Sequence, residues 1–283
     1  MLKILSSFIS LGIMFMSIYA QAYNAGLKEI THKGTELAIW YPTIEKEEEV
    51  SYWAWKGKAA KDSEVTKGRY PLLVFSHGWG GIKYNQFYLA EFMARNGYII
   101  VAIDHNDRSF SKALIDRPKQ ITQALDIALT DLDFKNCIDP NKIGAVGHSF
   151  GGYTILALGG GVKTLSDNRI RAIALFAPGP MQLFEPSSLA KVNIPVMVIE
   201  ADHDEVIPSG NIQILKDQLP GIQEYFVLKG AGHYAFLPVS DTDYIKKLSP
   251  EITYDPALPR KDLHLIIQKK VLSFFDRKLV SID

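Results

Sequence analysis

A serine held between glycines constrains this chain more than any other feature. Ile143-Gly144-Ala145-Val146 is a short apolar run, and Gly147-His148-Ser149-Phe150-Gly151-Gly152 follows it. A small-residue, helix-compatible segment from Tyr153 to Leu158 comes next. This is the G-x-S-x-G pattern in a strand–turn–helix setting. A serine at the tip of so sharp a turn needs neighbours two positions away with almost no side chain. Gly147 and Gly151 meet that need, and Gly152 lets the following helix pack close to a sheet. The turn is expected to expose the Ser149 hydroxyl at the C-terminal edge of a central strand. An ordinary glycine turn is the bland alternative, and it loses weight as suitable partners are found downstream.

The rest of the chain has the alternation that such a turn requires. Tyr70 to Ser76 is an apolar run that reads as a buried parallel strand. Gln86 to Asn96 has helical spacing and stops at Gly97; Tyr98 to Ile103 is the next strand. Pro118 to Phe134 reads as a helix, and Asp139-Pro140-Asn141 turns the chain into the strand before Ser149. Strands follow at Ile170 to Phe176, within Val192 to Glu200, and at Glu224 to Leu228; helices follow at Ser209 to Leu219 and Leu263 to Phe275. Alternation of this kind predicts an α/β fold, a mostly parallel central sheet with helices on both faces. Ahead of it, Leu27 to Thr31 and Glu36 to Tyr41 flank Lys33-Gly34 and predict an antiparallel N-terminal hairpin of edge strands. Thr43 to Arg69 reads as a polar surface excursion, and the acidic Glu45 to Glu49 as a solvated face. Trp53 and Trp55 within it fit either a patch at the site rim or packing on the body.

Length and composition bound the class. The chain has 283 residues, 47% hydrophobic and 22% charged, which fits one globular domain with a sizeable core. The formal net charge is zero, so no nucleic-acid footprint or polybasic membrane patch is expected. Lys3, the uncharged Ile4 to Tyr19 and the site Ala20-Gln21-Ala22 read as a secretory signal peptide over 1–22, ahead of a domain over 23–283. The run is short for a full membrane span, so cleavage is expected rather than a retained anchor, and the protein should be exported, periplasmic or secreted. Cutting leaves 30 basic against 31 acidic side chains. The lone Cys137 allows no internal disulfide and precedes the serine strand, so packing is its expected role.

A serine hydroxyl needs an adjacent base, and the base needs an orienting carboxylate. On a sheet bearing this turn the order is serine, then acid, then histidine. His233 is the expected base, in Lys229-Gly230-Ala231-Gly232-His233 just past the last strand; His264 is the fallback and His203 a poorer choice. The acid comes from Glu200-Ala201-Asp202-His203-Asp204-Glu205. Glu200 is still in the strand. Asp204, ahead of Val206-Ile207-Pro208, projects past the sheet edge and is preferred; Asp202 is its rival. No second ligand set with matching spacing accompanies this cluster, so no metal is expected, and the chemistry needs no cofactor. The oxyanion formed on attack needs fixed N–H donors, expected from Phe150 and from Trp79 in His77-Gly78-Trp79. His77 is expected to be a structural hydrogen-bonder. Met181, Phe184 and Phe236 are candidate substrate-lining residues, with Phe150 and Trp79.

Together these residues resemble the α/β-hydrolase fold. The segments Phe75 to Gly81, Ala102 to Ser109 and Gly147 to Gly152 are similar to the predicted dienelactone hydrolase-like proteins and to plasma-type platelet-activating-factor acetylhydrolases, as is the region from Asp262 to Phe275. True dienelactone hydrolases carry a cysteine nucleophile where this chain has Ser149. In the plasma acetylhydrolases the acid follows the strand after the serine helix, where this chain has Phe176-Ala177-Pro178 and no carboxylate. The resemblance implies a serine esterase acting on a small-molecule or lipid ester, with only a short loop, Pro178 to Leu189, where larger caps usually insert. A lipase or phospholipid acetylhydrolase is the alternative within this class, and a catalytically inactive binding protein is the alternative outside it. A peptidase or acyltransferase remains open, and the sequence sets no oligomeric state.

Overall fold

The computed structural model describes residues 23–107, 109–131, 133–238 and 259–281; the expected leader, 1–22, lies outside them. Ten strands run in chain order: β1 (Asn24–His32), β2 (Thr35–Thr43), β3 (Glu48–Tyr52), β4 (Trp55–Lys61), β5 (Tyr70–Ser76), β6 (Ile99–Ile103), β7 (Ile138–His148), β8 (Ile170–Phe176), β9 (Val196–Ala201) and β10 (Ile222–Leu228). They form one sheet in the order β10-β9-β8-β7-β5-β6-β2-β1-β4-β3. From β10 to β6 every neighbour is parallel. Then β2 joins antiparallel to β6, and β1 antiparallel to β2. The helices are α1 (Phe87–Arg95), α2 (Phe110–Thr130), α3 (Phe150–Leu156), α4 (Pro186–Leu189), α5 (Gly210–Gln218) and α6 (Arg260–Phe275). This is the α/β arrangement that the alternation predicts and the α/β-hydrolase architecture that the resemblance implies.

Both faces of the sheet are covered. Every residue of β5 is buried, the signature of a strand between two helical layers. Its side chains alternate between two cores. Leu73 and Phe75 pack with Leu89 and Met93 of α1 and with Ile267, Val271 and Phe274 of α6. Leu72 and Val74 pack with Ile121 and Leu125 of α2, Ile155 and Leu156 of α3, and Leu215 of α5. The residues between β8 and β9 hold only a 3-10 turn and the four-residue α4.

Two stretches depart from the sequence reading. The supposed excursion over 43–69 is a second hairpin, β3 against β4, and β4 covers β1, so the first hairpin is not the edge. Its core side chains explain why. Tyr52 is fully buried, stacks on Phe87 at 4.4 Å between ring centres, and accepts a hydrogen bond from Trp40 Nε1 at 3.0 Å. The acidic run is not wholly solvated either. Glu47 takes Arg95 in a two-pronged ion pair at 2.7 and 2.9 Å and accepts the Ala25 N–H. The second departure is α2, which starts at Phe110 and passes through Pro118. A proline inside a helix forfeits one backbone bond, at about 3 kcal/mol. Burial of Ala113, Ile121, Ala124, Leu125 and Ala128 on one stripe offsets it.

Candidate active site

The special residues gather at the carboxyl ends of β5 to β10, where ligands of such sheets bind. β7 ends at His148, α3 begins at Phe150, and Ser149 between them has φ 56° and ψ −121°. That is the left-handed half of backbone space, costly for a residue with a Cβ. The elbow is fixed by its surroundings. Ser149 donates its N–H to Phe176 O at 2.9 Å. A Cβ at Gly147 would sit 2.2 Å from Gly151 O, and one at Gly151 would sit 2.0 Å from Ser76 O, so neither glycine can be replaced without moving backbone.

On one side stand the loops after β9 and β10. His233 is buried, and its Nδ1 lies 2.8 Å from Asp204 Oδ2. The other oxygen of Asp204 accepts the Val206 and Ile207 N–H groups at 2.9 and 2.7 Å, which fixes the carboxylate. The His233 N–H donates to Glu205 Oε2 at 3.2 Å. His148, next to the serine, donates from Nε2 to His233 O at 3.0 Å, with the two imidazoles 4.8 Å apart. Burial, and then the neighbouring His233, hold His148 well below the usual histidine range. The chain thus brings Asp204 rather than Asp202 to His233. Asp202 serves the loop instead, accepting the Ala231 N–H at 3.2 Å and pairing with the exposed His203 at 2.9 Å. Its pKa is lowered, because these hydrogen bonds outweigh burial, which alone would raise it. His264 is turned away: it stacks on Tyr88 at 3.7 Å, and its Nε2 meets Ala235 O at 3.1 Å. Burial pushes its pKa down to about 4.

On the other side stand the loops after β5 and β6. His77 Nδ1 donates to Gly78 O at 2.7 Å, and its Nε2 accepts the His105 N–H at 3.2 Å. Burial first, and the Arg117 charge second, hold its pKa near 4, so it is a neutral structural group. His105 bridges Ser76 Oγ at 2.9 Å and Gln120 Oε1 at 2.7 Å. Gly78 passes close over Ser149: a Cβ there would lie 3.3 Å from Ser149 Cβ. Trp79 is half exposed and packs edge-on against Phe150 at 5.5 Å.

Three expected lining residues are buried in the core. Met181 and Phe236 have no exposed surface and Phe184 almost none. Phe236 stacks on Phe176 at 5.4 Å, and Phe184 packs on Tyr153 at 4.7 Å. Apolar side chains that can reach a core between two layers go there. Sequence reasoning gave no role to Arg117, Asp107, His148 or Glu205. Among the described residues, no three His, Cys, Asp or Glu side chains are grouped to hold a metal.

With that geometry in view, comparison with known proteins places the chain. A family model described as PET hydrolase-like matches residues 61–249. The chain belongs to the PET hydrolase-like family. Among relatives of this family member, the cutinase est1 of Thermobifida alba is 29% identical over 59% of this chain and 54% of its own length. A platelet-activating factor acetylhydrolase of Bos taurus is 23% identical over 76% of this chain and 66% of its own. The chain thus spans about half the length of the cutinases it matches. The ferulic acid esterase from Streptomyces cinnamoneus superposes with a TM-score of 0.72 over 91% of both chains at 20% identity, which establishes the shared fold.

Proposed function

We propose that the protein is an exported serine hydrolase of carboxylic esters, with Ser149 as nucleophile, His233 as base and Asp204 as its orienting acid. The carrying observation is the 2.8 Å bond from His233 Nδ1 to a carboxylate already pinned by two backbone N–H groups. A proton committed to Asp204 at Nδ1 leaves the Nε2 lone pair free to accept one. Ser149 Oγ attacks the ester carbonyl carbon and passes its proton to His233 Nε2. The carbonyl oxygen becomes an oxyanion, held by the N–H groups of Trp79 and Phe150. The Phe150 donor is available because the first N–H groups of a helix have no internal carbonyl partner. Collapse expels the alcohol, which leaves with the His233 proton, and a water activated by His233 then releases the acid.

The names of the relatives support ester cleavage: cutinase, acetylhydrolase, ferulic acid esterase and PET hydrolase-like. The short segment between β8 and β9 supports an accessible site, suited to short-chain or bulky esters. Export rests on the leader over 1–22, and among the described residues no helix is long and apolar enough to cross a membrane.

The test is a panel of nitrophenyl esters of increasing acyl length, with and without micelles. Wild type should cleave the short members, and Ser149→Ala should lose at least about 10⁴-fold in kcat. Activity confined to micellar long-chain esters would replace this reading with a lipase. Failure of a fluorophosphonate to label Ser149 would replace it with a binding protein.

A further inference from the structure

We propose that Arg117 is the positioning residue of the oxyanion-binding loop, acting with Asp107 to aim the Trp79 N–H at the reacting carbonyl. The inference rests on the serine-hydrolase reading above and adds to it a residue outside the Ser-His-Asp set.

Arg117 comes from the middle of α2, on the same stripe as Ala113, Ile121 and Ala124, and is fully buried. A buried guanidinium needs its charge paired and its donors used. Asp107, at the carboxyl end of β6, supplies the pairing: Nε donates to Oδ1 at 2.8 Å, and Nη2 reaches Oδ2. The remaining donors go to the loop. Nη1 donates to His77 O at 2.7 Å and Nη2 to Gly78 O at 3.2 Å. The guanidinium carbon of the same group lies over the Phe150 ring, 4.8 Å from its centre, and over the Trp79 ring, 5.8 Å from its centre. One side chain therefore touches both residues proposed to supply the oxyanion donors.

The peptide bond turns this contact into a direction. The Gly78 carbonyl and the Trp79 N–H belong to one planar trans unit and point in opposite senses. Gly78 O accepts three bonds, from Arg117 Nη2, from His77 Nδ1 and from the Gly81 N–H at 3.1 Å. Rotating that unit would break all three, so the Trp79 N–H is held facing away from α2. Gly78 also lies close to Ser149, where an added Cβ would sit 3.3 Å from Ser149 Cβ. Donors that need no reorganisation are the ones that stabilise a transition state best. A helix-packing arginine would need none of these carbonyl contacts.

The experiment uses the full chain. Steady-state kinetics on the best short ester are measured for wild type, Arg117→Met, Arg117→Lys and Asp107→Asn, with kcat expressed per folded molecule from circular dichroism. Arg117→Met is expected to lower kcat about 10²-fold with KM within threefold, because the donor acts only on the oxyanion. Arg117→Lys should recover little, since a single ammonium cannot span Asp107 and two carbonyls. Asp107→Asn should lower kcat about tenfold, and it guards against Arg117→Met failing to fold. Wild-type kcat per folded molecule in the variants, full recovery by Arg117→Lys, or a fall in kcat/KM that lies wholly in KM would each overturn the proposal. Fluorophosphonate labelling of wild type reads the hydrolase assignment separately: with Ser149 labelled and the Arg117 variants unimpaired, only the positioning role falls.

Discussion

The two walls of the site are held by different means. The wall carrying Trp79 is clamped from beneath, by a fully buried cation that α2 delivers into loops after β5 and β6. The wall carrying His233 is held by its own loops, in which Asp204 accepts the Val206 and Ile207 N–H groups, Asp202 that of Ala231 and Glu205 that of His233. In the proposed mechanism the first arrangement orients a dipole toward charge that exists only in the transition state. The second orients an imidazole that would take up and return a proton. Damage to the first should lower kcat without altering which groups titrate, whereas damage to the second should remove the base itself.

The largest effect is expected at Asp204. Asp204→Asn keeps the shape but offers an amide that can favour the wrong His233 tautomer, and kcat should fall about 10⁴-fold. The neighbouring Asp202→Asn should cost less than about tenfold, because Asp202 faces Ala231 and His203 rather than the catalytic imidazole. Measuring both variants on one ester checks the assignment. Equal losses would place the acid at Asp202 and undo the contrast between a carboxylate that serves the imidazole and one that serves the loop.

Legibility in the sequence divides along the same line. The elbow, the parallel strands and the Asp204–His233 wall are legible because their chemistry sits in short loops, with glycines and carboxylates adjacent in the chain. The opposite wall is not, because its organising residue lies in a helix. Arg117 falls on the apolar stripe of α2, four residues from both Ala113 and Ile121. A charge on a buried stripe signals a paired, working group. That signal is lost when Pro118 is taken as the start of the helix, since the stripe then begins one residue too late. The β3–β4 hairpin is hidden for a related reason: its inward residues, Tyr52, Trp55 and Ala59, are interleaved with lysines and glutamates that dominate the composition. Met181 and Phe236, large apolar residues near the site in sequence, are both buried in the core, which a one-dimensional reading does not show.

Acid gives the smallest and most graded distinction. His77, on the clamped wall, and His264, behind the site, are both pushed down to about 4, chiefly by burial. Unfolded, each would take its proton near 6.5. Between those values the unfolded chain binds more protons, so stability rises with pH there and is lost as pH falls from about 6.5 toward 4. Each group accounts for roughly 3 kcal/mol over that range. The melting temperature should therefore drop steadily through this window, and His264→Gln and His77→Gln should each flatten the slope in thermal melts at pH 7, 6, 5 and 4. The two variants should part in kinetics at pH 7. His264→Gln leaves kcat unchanged, since that ring stacks on Tyr88 and bonds to the backbone at Ala235 and Leu237. His77→Gln lowers kcat severalfold, because it removes one of the three bonds that fix the Gly78 carbonyl. If both variants kept full kcat, Arg117 and the Gly81 N–H would hold the loop without His77; if both lost it, the clamped wall would extend behind the site to α6.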